Sequence, residues 1–341
     1  MHLLDGGCGT EVQVSVIVTI KNESGMVLRL LESLCSQTRP PSEVIVVDGG
    51  SSDDTVAQLE GWASSHRLPL RILVESGANI SRGRNVAIAA ARGTIIASTD
   101  AGVRLASDWL EELLRPYADG SGEPDHIVAC GFFQPDPSSV FEMAMGATVL
   151  PALADVRPER FLPSSRSVAF SKGAWSAVGG YPEWLDYCED LIFDLRLLAR
   201  GCDFVFVPKA IAYFRPRSDL RSFFQQYFRY ARGDGKADLW RSRHLLRYMT
   251  YLALLPGGLW LATAGNPLGA MAVLFGAIAV LWSPYRRLFT ATHGLRFSER
   301  LRAALLVPVI RVTGDVAKML GYPAGLFWRW RHRRAIPAWR S

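Results

Sequence analysis

The chain has 341 residues, 49% of them hydrophobic, with 38 Lys and Arg set against 32 Asp and Glu for a formal charge of +6. That length holds one α/β domain of roughly 230–250 residues and an appendage. Five cysteines (Cys8, Cys35, Cys130, Cys188, Cys202), odd in number and without a C-x-x-C pair, exclude a disulfide framework and a zinc site and fit reduced thiols in a cytosolic compartment.

Residues 1–13 read as a tail in which Asp5 and Glu11, with no apolar core, do not make a secretory signal peptide. The β-branched run over 14–18 predicts a strand, 27–36 an amphipathic helix and 43–47 a second strand, together a βαβ unit with a parallel sheet. Both strands end in polar, turn-forming residues, at 19–24 and 48–53. Open parallel sheets bind ligands beyond the carboxyl ends of their strands, so these loops are expected to line one pocket. A helix over 54–65 leads to a third strand over 70–74. An Ala-rich helix over 79–91 then presents Arg82, Arg84 and Asn85 near its start, where free N–H groups and the dipole suit an anion. The strand over 93–100 ends in Asp100. After the Gly179-Gly180-Tyr181-Pro182 turn, Glu189-Asp190 opens an amphipathic helix to Ala199. No Gly-x-Gly-x-x-Gly follows the first strand, which excludes a dinucleotide-binding dehydrogenase.

Residues 248–285 contain no Asp, Glu, Lys or Arg. A bilayer crossing takes about 20 apolar residues, so this run predicts a hairpin of two short spans joined at Ala264-Gly265-Asn266-Pro267. Arg241, Arg243 and Arg247 before it and Arg286 and Arg287 after it put both ends in the cytoplasm by the positive-inside rule, with Trp260 and Trp282 at the interfaces. The plainer alternative is a buried helical hairpin of a soluble protein. An apolar segment at about 295–320, carrying Arg302, Arg311, Asp315 and Lys318, suits an amphipathic helix lying in the interface more than a third span. The end, from Trp328 to Arg334, mixes aromatic and basic residues as an anionic leaflet attracts them. Positive charge concentrated there makes membrane lipids a simpler partner than nucleic acid.

Several motifs in order, Lys21-Asn22-Glu23, the run from Val46 to Thr55, Arg84-Asn85, Asp100 and Glu189-Asp190, resemble the family 2 glycosyltransferases over about residues 14–236. Arg166-Ser167-Val168-Ala169-Phe170 and Gly179-Gly180 resemble that family's acceptor-side strand and turn. The resemblance implies an α/β fold of the GT-A type, a Rossmann-like nucleotide-diphospho-sugar transferase domain. A membrane-associated helical region would follow it over 237–341, holding the catalytic domain at the cytoplasmic face of the membrane.

The resemblance also implies roles. Thr19 and Glu23 would approach the nucleotide of a UDP-sugar or GDP-sugar, Asp48 would accept a hydrogen bond from its base, and Arg84 would stand near its phosphates. Asp100 corresponds to the first acid of an Asp-x-Asp motif that binds Mg2+ or Mn2+ with the diphosphate. Gly102 stands where the second acid is expected, so either Asp100, phosphate oxygens and water hold the ion, or Arg104 and other bases take over part of its charge. Asp190 corresponds to the general base, with Glu189 orienting donor or acceptor. Gln226-x-x-Arg229-Tyr230 is similar to the Gln-x-x-Arg-Trp motif of processive polysaccharide synthases, and Tyr in place of Trp argues against processive polymerisation. Arg229 and Arg232 would neutralise the departing nucleoside diphosphate.

Plainer roles stand beside these. Asp48 and Ser51 would cap the following helix, Arg84 would be solvated or pair with Glu75, and Arg196 would pair with Asp194 or Asp203. Glu189 and Asp190 would only face the helix dipole, Arg229 and Arg232 would meet lipid headgroups, and Trp175 and Trp184 would be buried rather than stacked on sugar. The implied activity is inverting transfer to a membrane-borne acceptor, a lipid-linked saccharide in cell-envelope or exopolysaccharide assembly. The alternatives are a polyprenyl-phosphate glycosyltransferase and, favoured by Gly102 alone, a catalytically inactive nucleotide-sugar-binding scaffold in a membrane assembly.

Overall fold

The computed structural model describes residues 12–118, 122–334 and 336, so most of the N-terminal tail lies outside the described residues. The chain forms two compact units, one of Met1–Phe133, Pro158–Pro182 and Phe193–Ala212, the other of Gln134–Arg157, Glu183–Ile192 and Tyr213–Ser341.

In chain order the elements begin β1 (Val14–Ile20), α1 (Val27–Cys35), β2 (Glu43–Asp48), α2 (Thr55–Ser65), β3 (Leu70–Val74), α3 (Ile80–Ala90) and β4 (Ile95–Asp100). There follow β5 (Val103–Leu105), α4 (Trp109–Ala118), β6 (Ile127–Pro135), α5 (Val140–Val149), β7 (Val168–Ser171), α6 (Lys172–Ala177), α7 (Glu189–Ala199) and β8 (Asp203–Phe214). The sheet order is β3-β2-β1-β4-β7-β6-β8-β5. β1 to β4 run parallel, as expected, but β7 returns antiparallel to both β4 and β6. This is the mixed sheet of a GT-A-like fold.

β1 and β2 are buried almost end to end because helices cover both faces of their part of the sheet. α1 supplies part of one cover through Val27, Leu30, Leu31 and Leu34, spaced to share one helical face and all buried. Ile17, Ile45, Ile88, Ile96, Phe170 and Phe193 join one core, each stabilising by about 1.5–3 kcal/mol on burial. At the amino end of the sheet the buried Glu43 accepts from the Ser15 hydroxyl (2.7 Å), Arg71 (3.1 Å) and the Arg92 N–H (2.6 Å). Burial pushes this carboxyl up, but those donors outweigh it and hold Glu43 below the usual carboxylate range. Register places Thr19 beside Asp100 and Val47, and Ile20 beside Asp48, at the opposite, carboxyl edge.

The second unit is helical: α8 (Leu220–Ala237), α9 (Arg241–Met249), α10 (Leu255–Thr263), α11 (Pro267–Ala291) and α12 (Phe297–Arg331). The hairpin turns where expected, with Gly265 at φ +80° and the Asn266 side chain accepting from the Leu268 N–H (2.9 Å). Its arms meet through glycines, since a Cβ on Gly269 would stand 2.7 Å from the Gly258 carbonyl oxygen. The first arm is not one straight span. A π-helical turn at Thr250–Leu254 separates α9 from α10, just before Pro256, which has no N–H to offer the preceding turn. Among the described residues α11 is the one helix long and apolar enough to cross a bilayer. Leu268, Leu274, Phe275, Ile278 and Trp282 stand exposed along it, an apolar face that marks lipid or partner contact. Below that face, Arg286 and Arg287 both pair with Asp155.

α12 is longer than expected and takes in the start of the aromatic, basic tail. One face, including Val307, Ile310, Gly314, Gly321 and Gly325, is buried, and the other exposes Phe297, Leu301, Leu305 and Val309. α12 and α8 approach backbone to backbone: a Cβ on Gly321 would stand 2.2 Å from the Phe228 carbonyl oxygen, and one on Gly325 the same distance from that of Arg232. Gly-x-x-x-Gly spacing permits such contact.

Glu43→Gln tests the amino-end tie by thermal melts across pH. It is expected to cost about 1–3 kcal/mol at pH 7 by leaving buried donors poorly matched. Because the folded carboxyl is depressed, its contribution is present above the ordinary range near pH 4.3 and is lost as pH falls through the folded value, so the two proteins should converge in acid.

Candidate functional site

The loops after β1 and β2 close on each other. Asn22 N–H donates to Ser51 Oγ (2.8 Å), Ser52 N–H to Asn22 Oδ1 (2.9 Å), and Glu23 N–H to Thr55 Oγ1 (2.9 Å). Asn22 adopts φ +55°, a left-handed conformation that Asn tolerates better than most residues. Asp48, 1% exposed, braces its own turn: Oδ2 accepts from the N–H groups of Gly50 (2.9 Å) and Ser51 (2.8 Å), and Oδ1 from the Ser51 hydroxyl. The expected capping of the following helix does not occur: α2 starts behind Asp54, which makes no side-chain capping bond, and Asp48 and Ser51 close the turn before it instead. Thr19 Oγ1, at the same edge, is buried and has no hydrogen-bond partner among the described residues.

Beside Thr19 begins α3, capped by Asn79, whose side chain accepts from the Arg82 N–H (2.9 Å). Gly83 lets this helix come close, because a Cβ there would stand 2.8 Å from Thr19 Cγ2. That approach brings Arg84 Nη2 to 3.1 Å from Asp100 Oδ1. The other oxygen, Oδ2, lies 3.2 Å from Arg166 Nε. Antiparallel register explains the second arginine: Ser98 faces Val168, and two residues further the same pairing sets 166 against 100. Arg84 lies over the Tyr181 ring (5.2 Å), and Tyr181 is held by Ser165 (3.0 Å) and by both ends of the Asn85 amide (2.8 and 2.9 Å). Gly180, at φ +70°, is needed there, since its Cβ would meet Asn85 Oδ1 at 2.7 Å.

A divalent cation does not fit this arrangement. Both oxygens of Asp100 face guanidinium groups, and Gly102 adds no carboxylate although a Cβ there would meet nothing within 4 Å. A cation sharing that carboxylate would stand against two fixed positive charges at short range. Among the described residues no group of three or more His, Cys, Asp or Glu comes together as a metal site.

In the second unit the segment before Asp190 is fastened to α8. Asp186 accepts from Lys236 Nζ (2.7 Å) and pairs with Arg232, while Arg229 Nη1 donates to the Tyr187 hydroxyl (3.2 Å). Cys188, at φ +64°, donates to the Tyr230 carbonyl (3.3 Å) and lies against Asp234. Burial and the neighbouring carboxylates push its thiol well up, so it is inert as a nucleophile. Gln226 donates to the Tyr230 hydroxyl (2.8 Å), joining two members of the Gln-x-x-Arg-Tyr motif one turn apart. Glu189 is buried and Asp190 half-buried at the start of α7, where Asp190 Oδ1 accepts from the Leu191 N–H (2.9 Å).

The plainer roles of Arg84 and Arg196 also differ in the structure, whereas Trp175 and Trp184 are half-buried against other protein groups. Arg84 is 2% exposed and bonded to Asp100, while Arg82 is the partner of Glu75 (2.6 Å). Arg196 donates to the Gly180 carbonyl (3.2 Å) in place of an Asp194 or Asp203 pair. Trp175 donates to Asn85 (3.1 Å), and Trp184 stacks on Trp328. Arg166 appears in the sequence only as part of an acceptor-side strand, and Tyr181, Asp186 and Lys236 carry no individual role there. Only the antiparallel return of β7 and the docking of α8 bring them into place.

The mixed sheet, with these residues at its carboxyl edge, is that of a GT-A-like fold. Residues 15–154 match the family described as Glycosyl transferase family 2. It is 29% identical over 119 residues to the putative glycosyltransferase EpsH of Bacillus subtilis (strain 168), covering 35% of this chain and 33% of that one. It is 24% identical over 204 residues to the O-antigen chain rhamnosyltransferase WbaN of Salmonella anatum, covering 56% and 62%. The chain thus spans about a third of EpsH and under two thirds of WbaN. Among solved structures, the mannosyltransferase PcManGT of Pyrobaculum calidifontis, in complex with GDP-Man and Mn2+, aligns with TM-score 0.53 at 17% identity over 93% of this chain and 86% of that one, a likeness of fold.

Asp186→Ala tests the fastening of residues 183–192. Burial pushes the Asp186 carboxyl up, but Lys236 and Arg232 outweigh it and hold it below the usual range. Its grip is therefore present at neutral pH and lost as pH falls through the lowered value. Amide hydrogen exchange over 183–192 should accelerate about tenfold in the variant at pH 7, matching a lost charge-assisted contact.

Proposed function

We propose that this chain is an inverting glycosyltransferase that moves a sugar from a UDP-sugar or GDP-sugar to a membrane-borne acceptor, a lipid-linked saccharide. The catalytic domain faces the cytoplasm and the C-terminal helices bind membrane lipids. The observation that carries this proposal is the carboxyl edge of the sheet, where Thr19, Asp48, Arg84 and Asp100 gather within the family 2 segment. Ligands of parallel sheets bind at that edge. Asp48 has three donors on its carboxylate, which leaves capacity for one more from a base, and Glu23 lies in the adjoining loop.

In the proposed reaction Asp190 takes the proton of the acceptor hydroxyl as that oxygen attacks the anomeric carbon. The bond from this carbon to the diphosphate oxygen breaks, the nucleoside diphosphate leaves, and configuration inverts. Glu189 orients the reacting groups. Arg229 and Arg232, with Gln226 on the same helix, supply counter-charge for the leaving diphosphate in this proposal. Support for the acceptor is the glycine-packed apolar hairpin, together with the roles named for WbaN in O-antigen chains and the likeness to EpsH.

The test uses the detergent-solubilised full chain, radiolabelled UDP- and GDP-sugars and a bacterial lipid extract. Label is expected to enter the lipid phase, and Asp190→Asn should cut that transfer about 10²–10⁴-fold while leaving nucleotide binding unchanged. Full transfer by the variant would remove Asp190 as base. Nucleotide binding by the parent without transfer to any extract would favour the scaffold role.

A further inference from the structure

We infer that Arg84, Asp100 and Arg166 form a diphosphate site that takes the place of a divalent cation, so that the donor binds without metal. The inference rests on the donor-site proposal above. Its basis is geometric: each oxygen of Asp100 fixes one guanidinium, at 3.1 Å for Arg84 and 3.2 Å for Arg166. Two guanidiniums and one carboxylate leave a net positive charge at the edge where phosphate is expected. Arg166 Nη1 also donates to the Ser164 hydroxyl (3.3 Å), and the planar guanidinium fork suits phosphate oxygens.

The site is built rather than incidental. Arg84 is held over Tyr181, Tyr181 is tied to Asn85 and Ser165, and Gly83 provides the close approach of α3. Arg166 and Asp100 side chains are 24% and 25% exposed, so the pair is open to a ligand, while the buried Arg84 contributes its charge and its hold on Asp100. Gly102 fits the same logic. Space exists for a second acid, yet a carboxylate there would cancel the net positive charge that the arginines provide. A diphosphate is served by that acid's absence.

Calorimetric titration of the full chain in detergent with UDP and GDP, in EDTA and in Mn2+, tests the inference alongside Arg166→Ala and Gly102→Asp. The parent should bind one nucleotide with Kd values that agree within about twofold in the two buffers, and Arg166→Ala should weaken it about tenfold in both. Gly102→Asp, which fits sterically, should bind weakly in EDTA and recover with Mn2+. Binding by the parent that requires Mn2+, or an Arg166→Ala Kd equal to the parent's, would overturn the inference while leaving the donor site standing. No binding of either nucleotide in either buffer would overturn the donor site as well.

Discussion

Asp100 ends β4 with a guanidinium on each carboxylate oxygen, and the order of the whole carboxyl edge depends on that pairing. Arg84 reaches it because Gly83 lets α3 press on Thr19; Arg166 reaches it because β7 runs back along β4. A buried arginine without a counter-ion is costly, and a carboxylate between two arginines removes that cost while fixing both. Around this centre, Tyr181 and Asn85 hold Arg84 from one side, and the mutual hydrogen bonds of the first two loops hold Asp48 and Thr19 in the same edge.

The helical unit solves a different problem with the same economy of contacts. α8 fastens the segment that leads into Glu189-Asp190 through Arg229, Arg232 and Lys236, so residues that read as a plain basic helix face are engaged with Tyr187 and Asp186. Glycines at 235, 321 and 325 let α12 lie directly on α8. The apolar side chains of α11 and the outer face of α12 are left outward, which is the expected disposition for helices that meet lipid.

Local pattern carries far in this chain. The first three strands, α3 and the helix after Glu189 are all visible from period and composition, and the hairpin turn from Gly265, Asn266 and Pro267, because each depends on neighbours in sequence. Arg166 escapes because its role comes from the antiparallel return of β7, a pairing between residues far apart that periodicity does not encode. Asp186 escapes for the same reason, its partners lying on α8. The break between α9 and α10 is a third case: absence of charge shows a long apolar run, while Pro256 and its neighbouring glycines decide that the run is not one straight helix.

The most direct test of the central claim is the affinity of Asp100→Asn for UDP and GDP, measured in EDTA. The substitution makes the edge more positive, so simple attraction of diphosphate to charge would tighten binding. If Asp100 acts by holding Arg84 and Arg166 in place, binding should instead weaken about tenfold, the scale of a lost charge-assisted hydrogen bond. An affinity equal to or tighter than that of the parent would contradict the account.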